Sequence, residues 1–248
     1  MKSLGKVGYG IDEPRSIIEL VIAGGLAVVI GFVISAYTER VNPGTARIGL
    51  LAGPAVGFLI LAVAAALYWS SRQGKVNEMT RIVAKIPWGG EEVVLELGCG
   101  RGLGMVLASK RLTSGYAVGV DLWQKGHLSG NAPKSIWANA SREGVQDKVF
   151  AIKADPRFLP FADSSVDVVL SAVSIHRLTK RKERGLAFSE VGRILKNGGR
   201  VGILEAGNGG IYSDFLKKQG MSDVSVHRLR FSSFPPFHVV MARKPFPG

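Results

Sequence analysis

The sequence predicts an α/β domain on a mostly parallel sheet, carried behind an all-α pair of membrane-crossing helices. Three observations predict this. Leu20–Tyr37 and Ile48–Ser71 are two blocks without a single charged residue. From Val93 onward, short apolar runs of strand length alternate with runs of helix length. A glycine-rich turn, LELGCGRGLG at 95–104, follows the first of those strands directly.

The uncharged blocks are 18 and 24 residues long, and a helix needs about 20 apolar residues to span a bilayer. Between them lies TERVNPGTAR, whose Asn-Pro-Gly signals a turn, so the two helices form an antiparallel hairpin. Neither block has a polar face, which argues against a buried pair in a soluble fold. A cleaved leader fits poorly. The first block starts late, follows Asp12 and Glu13, and lacks a small-x-small cleavage site. Residues 1–72 are therefore expected to be a membrane anchor with helices at about 16–37 and 48–70, and 73–248 a soluble domain. Lys2, Lys6 and Arg15 precede the first helix, and Arg72, Lys75, Arg81 and Lys85 follow the second, against Arg40 and Arg47 in the linker. This distribution places both termini and the domain on the cytoplasmic side. Gly49, Gly53 and Gly57 repeat a small-xxx-small spacing that lets helices touch closely. They pack either on Gly24, Gly25 and Gly31 within the hairpin or on a second copy, making a homo-oligomer. Pro54 is expected to kink the second helix.

One cysteine, Cys99, excludes an intrachain disulfide, and no Cys/His group has zinc spacing. Cys99 reads as a small buried filler. The net charge is +13, and from Ser70 onward 27 basic residues face 15 acidic ones. Such a surplus suits nucleic acid or an anionic membrane surface. No basic stretch is interleaved with aromatics of the kind single strands stack on, which favours the bilayer over nucleic acid. The run KRKER at 180–184, near Arg177, reads either as a membrane-contacting patch or as a solvated helix start.

In the soluble part, Lys75–Ile86 has helical apolar spacing and stops at Pro87. Val93–Leu97 is a strand, Gly104–Leu112 a helix and Tyr116–Val120 a strand. Pro133–Glu143 is a helix with proline in its first turn. Val149–Lys153 and Val166–Ser171 are strands. Lys182–Leu195 is a helix stopped by Asn197-Gly198-Gly199. Arg200–Leu204 is a strand, Tyr212–Gln219 a helix, and Val224–Leu229 with His238–Ala242 a closing strand pair. In a parallel sheet of this kind, ligands sit beyond the carboxyl ends of the strands, where the glycine turn lies.

A glycine turn after a first strand also serves dinucleotides. Here the spacing is Gly98-x-Gly100-x-Gly102, and Leu103 stands where the dinucleotide pattern places its third glycine. Asp121 ends the second strand, where a carboxylate accepts from ribose hydroxyls. Asp155 closes the third strand, where a carboxylate accepts from an adenine amino group. With Glu96 in the first strand, an acid marks three successive strands. That set suits a ligand with ribose, adenine and an ammonium but no phosphate, which describes S-adenosylmethionine.

The segments VVLELGCGRGLG, VGVDLW, ADPRFLPFADSSVDVVLSAVSIHRL and EVGRILKNGGRVGILEA, in this order, resemble the class I S-adenosylmethionine-dependent methyltransferases. Within these they look like the branch of ubiquinone- and menaquinone-biosynthesis and small-molecule methyltransferases. The resemblance covers about Lys75 to Pro245 and leaves out the hairpin. It implies a Rossmann-like sheet of seven strands with the last antiparallel. Carried over by residue, it implies that Glu96 holds the methionine ammonium and that Gly98, Gly100 and Gly102 line methionine and ribose. Asp121 would bind the ribose hydroxyls, Leu122 cover the adenine and Asp155 take its amino group. Ser171 would offer its carbonyl to the ammonium. One departure stands out. The residue after the adenine acid usually donates its N–H to the ring, and here it is Pro156, which has none. Arg157 is the substitute at hand.

Methyl transfer from a sulfonium is an in-line displacement, so alignment is the protein's main task. Where the acceptor arrives protonated, His176 is the candidate base, by its place after the fourth strand and its ordinary pKa. His127, His227 and His238 read as structural or exposed. The expected function is a membrane-anchored methyltransferase acting on a small lipophilic or amphiphilic thiol, amine, phenol, quinone or lipid headgroup. The pocket cover is expected from the helix before Pro87, the 123–131 loop or the RFSSFPPFH turn. Two alternatives stay open: methylation of RNA or protein, and a non-catalytic module that uses the fold for assembly.

Overall fold

The computed structural model describes residues 8–124, 126–228 and 233–247. Seven strands form one sheet: β1 (Val93–Leu97), β2 (Tyr116–Asp121), β3 (Val149–Lys153), β4 (Val166–Ala172), β5 (Leu195–Ala206), β6 (Ser222–Arg228) and β7 (Phe237–Arg243). Their order is β3-β2-β1-β4-β5-β7-β6. All pairs are parallel except those of β7, which runs antiparallel to both β5 and β6. The strand order reverses between β1 and β4, so a crevice opens at their carboxyl ends.

Both faces of the sheet are covered. On one lie α3 (Lys75–Lys85), α4 (Leu103–Ser109) and α5 (Pro133–Arg142), through Met79, Ile82, Met105, Val106, Ile136 and Ala140. On the other lie α6 (Arg181–Ile194) and α7 (Gly209–Lys218), through Phe188, Val191, Tyr212 and Leu216. Cys99 is buried in the first of these cores. The sequence predicts that α6 ends at Leu195, stopped by Asn197-Gly198-Gly199. The helix ends at Ile194, and those three residues form a bulge inside β5, where the register with β4 slips between Val166 and Val168. The bulge survives because Gly198 and Gly199 exchange backbone hydrogen bonds with Lys244 across the sheet. Of the RFSSFPPFH turn, Arg230, Phe231 and Ser232 lie outside the described residues, as do Lys2, Lys6 and Leu229.

Two further helices, α1 (Pro14–Thr38) and α2 (Pro43–Trp69), pack antiparallel away from the sheet. Both are long and apolar enough to cross a membrane, with mean hydropathy 2.7 and 2.4 over their most apolar stretches. Their large apolar side chains, among them Ile22, Val29, Phe32, Leu51, Phe58 and Leu59, point outward. The Asn42 side chain caps α2 by accepting from Thr45 N–H at 3.2 Å. Glycines form the seam. A Cβ on Gly31 would sit 2.6 Å from Gly53 Cα, and one on Gly57 would meet Gly24 O at 2.6 Å. Gly49, Gly53 and Gly57 thus face α1 of the same chain, the packing within the hairpin that their spacing allowed.

At the boundary expected near residue 72 the helix is continuous. Helix α2 passes through one wide turn, Ser70–Gly74, straight into α3, giving a helix that runs from Pro43 to Lys85. Before α1, residues 8–13 lie as a strap across the domain. Ile11 exchanges hydrogen bonds with Ser129, Glu13 N–H donates to His127 O, and Asp12 pairs with Leu128.

If the hairpin rests on glycine contact, Gly53→Val should lower unfolding stability in detergent by about 1–3 kcal/mol through overpacking. Gly25→Ala, whose Cβ would meet nothing within 4 Å, should leave it unchanged. Denaturant unfolding followed by circular dichroism reads both.

Candidate functional site

Two carboxyl groups from neighbouring strands hold the turn between β1 and α4. Asp121, at the end of β2 and 7% exposed, accepts the Gly100 N–H on Oδ2 at 2.8 Å and the Trp123 N–H on Oδ1 at 2.6 Å. The Trp123 indole N–H donates to Gly100 O at 3.1 Å. Glu96, inside β1 and 1% exposed, accepts the Gly104 and Met105 N–H groups at 2.7 and 3.0 Å. These are N–H groups that the first turn of α4 leaves without helical partners. Burial pushes the Glu96 carboxyl up to about 8 against the pull of those two donors.

Gly98 has φ +60°, and a Cβ there would lie 2.4 Å from Ser174 Cβ. Only glycine takes that conformation in that space. Ser174 Oγ in turn donates to Leu97 O at 2.8 Å, closing β4's end onto β1's.

Two cavities meet at Gly98. The first, about 230 Å³, is lined by Gly98, Asp121, Leu122, Asp155, Arg157 and Ser174, with Asn131 and His127 at its side. Asn131 Oδ1 is buried there with no donor among the described residues. The second holds about 20 Å³, room for about one water. It lies between Gly98, Gly100 and Glu96 on one side and Tyr9, Asp12 and Lys75 on the other.

Most of the sequence-derived residues converge here, and five histidine, glycine, serine or acid positions are placed or partnered otherwise than expected. Asp155 lines the first cavity, but its carboxylate is held by Arg157. Three guanidinium contacts run from 2.6 to 3.1 Å and the Arg157 N–H adds a fourth at 2.9 Å. Arg157 also reaches Glu183 at 3.1 Å. The hydrogen bonds from Arg157 hold Asp155 below the usual carboxylate range. Gly102 lines neither cavity; at φ +82° it starts α4. Ser171 is fully buried, its hydroxyl 2.8 Å from Ser174 Oγ, and Ala172 and Val173 line the second cavity instead. His176 lines neither. Its Nδ1 lies 2.7 Å from Glu205 Oε1 and its backbone N–H donates to Glu205 Oε2 at 3.1 Å. Glu205, fully buried at the end of β5, fixes the imidazole through Nδ1, and the ring stays 31% exposed outside the lining of the first cavity. His127, expected to be structural or exposed, lines the first cavity and pairs with Glu13.

The residues that sequence reasoning missed are Tyr9, Asp12 and Lys75. Lys75 Nζ pairs with Asp12 Oδ2 at 2.8 Å with both side chains largely buried. The one signal was position: Asp12 and Lys75 flank two apolar blocks of similar length, and an antiparallel hairpin brings such flanks together.

Among known proteins, residues 95–203 match the family model described as a methyltransferase domain. The chain is 24% identical to 27-O-demethylrifamycin SV methyltransferase of Amycolatopsis mediterranei, over 55% of this chain and 48% of that protein. It spans less than half the length of the relatives it matches by sequence. Among solved structures, it superposes on a SAM-dependent methyltransferase from Aquifex aeolicus with TM-score 0.53 and 16% identity. That match covers 68% of this chain and 90% of the other. A phosphoethanolamine N-methyltransferase of Haemonchus contortus, bound to S-adenosylhomocysteine, gives TM-score 0.53 and 19% identity, covering 68% of this chain and 53% of that one.

The Glu96 carboxyl sets a pH dependence. The folded chain keeps that proton up to about 8, whereas an ordinary glutamate releases it near 4.5. Between those values the folded state binds more protons, so stability falls as pH rises from about 5 to above 8. Glu96→Gln, which cannot ionise, should flatten that slope in thermal melts taken across the range.

Proposed function

We propose that this chain, whose domain from Lys75 onward has the class I S-adenosylmethionine-dependent methyltransferase fold, is a membrane-anchored enzyme. It moves a methyl group from S-adenosylmethionine to a small lipophilic or amphiphilic acceptor. The observation that carries the reading is the Asp121 carboxylate beside the glycine turn. Each oxygen takes one backbone N–H, which leaves acceptor capacity on both, and the residue lines the first cavity. A pair of vicinal hydroxyls is the group such a carboxylate receives.

The remaining residues fit the same small molecule. Gly98 lets backbone approach closely at the junction of the two cavities. Leu122, 37% exposed, offers an apolar cover to a flat ring, and Asn131 Oδ1 offers an acceptor without a donor among the described residues. Asp155 would meet a ring amino group only where Arg157 yields a lone pair. Pro156 removes the backbone donor beside it, so the ring is read by Arg157, Leu122 and Asn131.

When bound, the sulfonium supplies an already activated methyl. The chain then has to align the acceptor and exclude water. Helix α3 and the strap wall the second cavity and continue into α2 and α1. An acceptor dissolved in the bilayer surface therefore reaches the cavity beside the membrane ends of the hairpin. Arg72, Arg81 and Lys85 are exposed on that continuous helix. Beside anionic headgroups each is worth about 1 kcal/mol. By the distribution of Lys and Arg, both termini and the domain lie on the cytoplasmic side.

Calorimetric titration of the detergent-solubilised chain with S-adenosylmethionine and S-adenosylhomocysteine tests the reading. We expect micromolar binding, weakened about 100-fold or more in Asp121→Ala, because two buried N–H groups and the ribose contact are lost together, ~3 kcal/mol. A folded wild type that binds neither compound overturns the reading.

A further inference from the structure

The second cavity carries charge that the methyl-transfer scheme does not use. Lys75, Arg101 and Arg177 line it, and Asp12 is the carboxylate that Lys75 contacts. The other acid on its wall, Glu96, is committed to the N–H groups of α4. Arg101 Nε, Arg177 Nε and the Tyr9 hydroxyl are buried there without partners among the described residues. The positive groups outnumber what the single Asp12 carboxylate satisfies.

Asp12 belongs to the strap. Ser71 holds it as well, with Oγ 3.3 Å from Asp12 Oδ2 and 3.2 Å from Asp12 N. The room beside it is enough for about one water, so any larger occupant must displace the strap. Displacement strips Lys75 of its counter-ion while its side chain is only 5% exposed. A buried charge left unpaired is strongly destabilising. The occupant must bring its own anion.

The connectivity of S-adenosylmethionine is adenine, ribose, sulfur, amino acid. With ribose at Asp121 and adenine toward Leu122 and Asp155, the amino-acid end runs past Gly98 into this second cavity. We propose that Lys75, flanked by Arg101 and Arg177, is a carboxylate subsite that Asp12 fills as an internal competitor. Ligand binding exchanges Asp12 for an incoming carboxylate and frees the strap ahead of the first apolar helix. The inference rests on the methyltransferase reading above. The carboxylate comes from the amino-acid end of the cofactor or from an acidic group on the acceptor.

The experiment uses the full chain in lipid nanodiscs, titrated calorimetrically with S-adenosylhomocysteine and with decarboxylated S-adenosylmethionine. Asp12→Asn should bind S-adenosylhomocysteine about tenfold more tightly than wild type, ~1.4 kcal/mol, and Lys75→Met more weakly. If the decarboxylated compound responds to neither change, the cofactor carboxylate is the occupant. If Asp12→Asn leaves both compounds unmoved but tightens decanoate binding to the S-adenosylhomocysteine-loaded chain, the acid belongs to the acceptor. Should Asp12→Asn fail to fold, Ser71→Ala loosens the same carboxylate and should shift affinity in the same direction. Wild type that binds S-adenosylhomocysteine with an affinity these variants do not change, and decanoate binding equally unchanged, overturns the exchange and leaves the methyltransferase reading standing. Absence of any cofactor binding overturns both.

Discussion

The site depends on two carboxyl groups holding one turn. Glu96 and Asp121 stand on adjacent strands, β1 and β2, paired in parallel. Each accepts backbone N–H groups of the glycine turn between β1 and α4. A turn built from glycines has no side chains with which to fix itself, and its conformational freedom is costly to lose. The two acids supply that order from the sheet. In doing so they divide the work. Glu96 gives its two oxygens to the first turn of α4 at the wall of the second cavity, whereas Asp121 holds Gly100 and Trp123 at the wall of the first. Of two acids that look equivalent in the sequence, one lines the larger cavity and the other the smaller.

The second constraint comes from the hairpin. An unbroken helix from Pro43 to Lys85 makes the apolar pair and the domain one lever, with Met79, Ile82 and Val83 fastening its end in the core. The glycine seam brings α1 and α2 together, and their near-equal lengths return Asp12 to the start of α3. The pair Asp12–Lys75 is thus a product of helix geometry. It links the apolar helices to the wall of the site through buried charge. That placement makes the strap part of the site's electrostatics as well as its cover.

Much of this was legible in the chain itself. The period of the apolar residues gave the strands and helices in order, because a sheet covered on both faces demands short apolar runs and its helices demand a 3.6-residue stripe. Glycine spacing and strand-end acids marked the crevice, because residues at strand ends in a parallel sheet share one rim whatever the loops do. Two uncharged blocks of spanning length needed no tertiary information. What the sequence left open was direction and partnership. Asp155 sits at the expected strand end, yet Arg157, two residues on, takes its carboxylate. His176 sits beyond β4, where Glu205, 29 residues later, takes its Nδ1. Asn197-Gly198-Gly199 reads as a helix stop, yet pairing with Lys244 draws it into β5. The strap over the second cavity joins Asp12 to Lys75 across 63 positions. Type and order are local properties, fixed by side-chain period and backbone freedom. Which lone pair faces a ligand is decided by partners far along the chain, and only the folded packing brings those partners within reach.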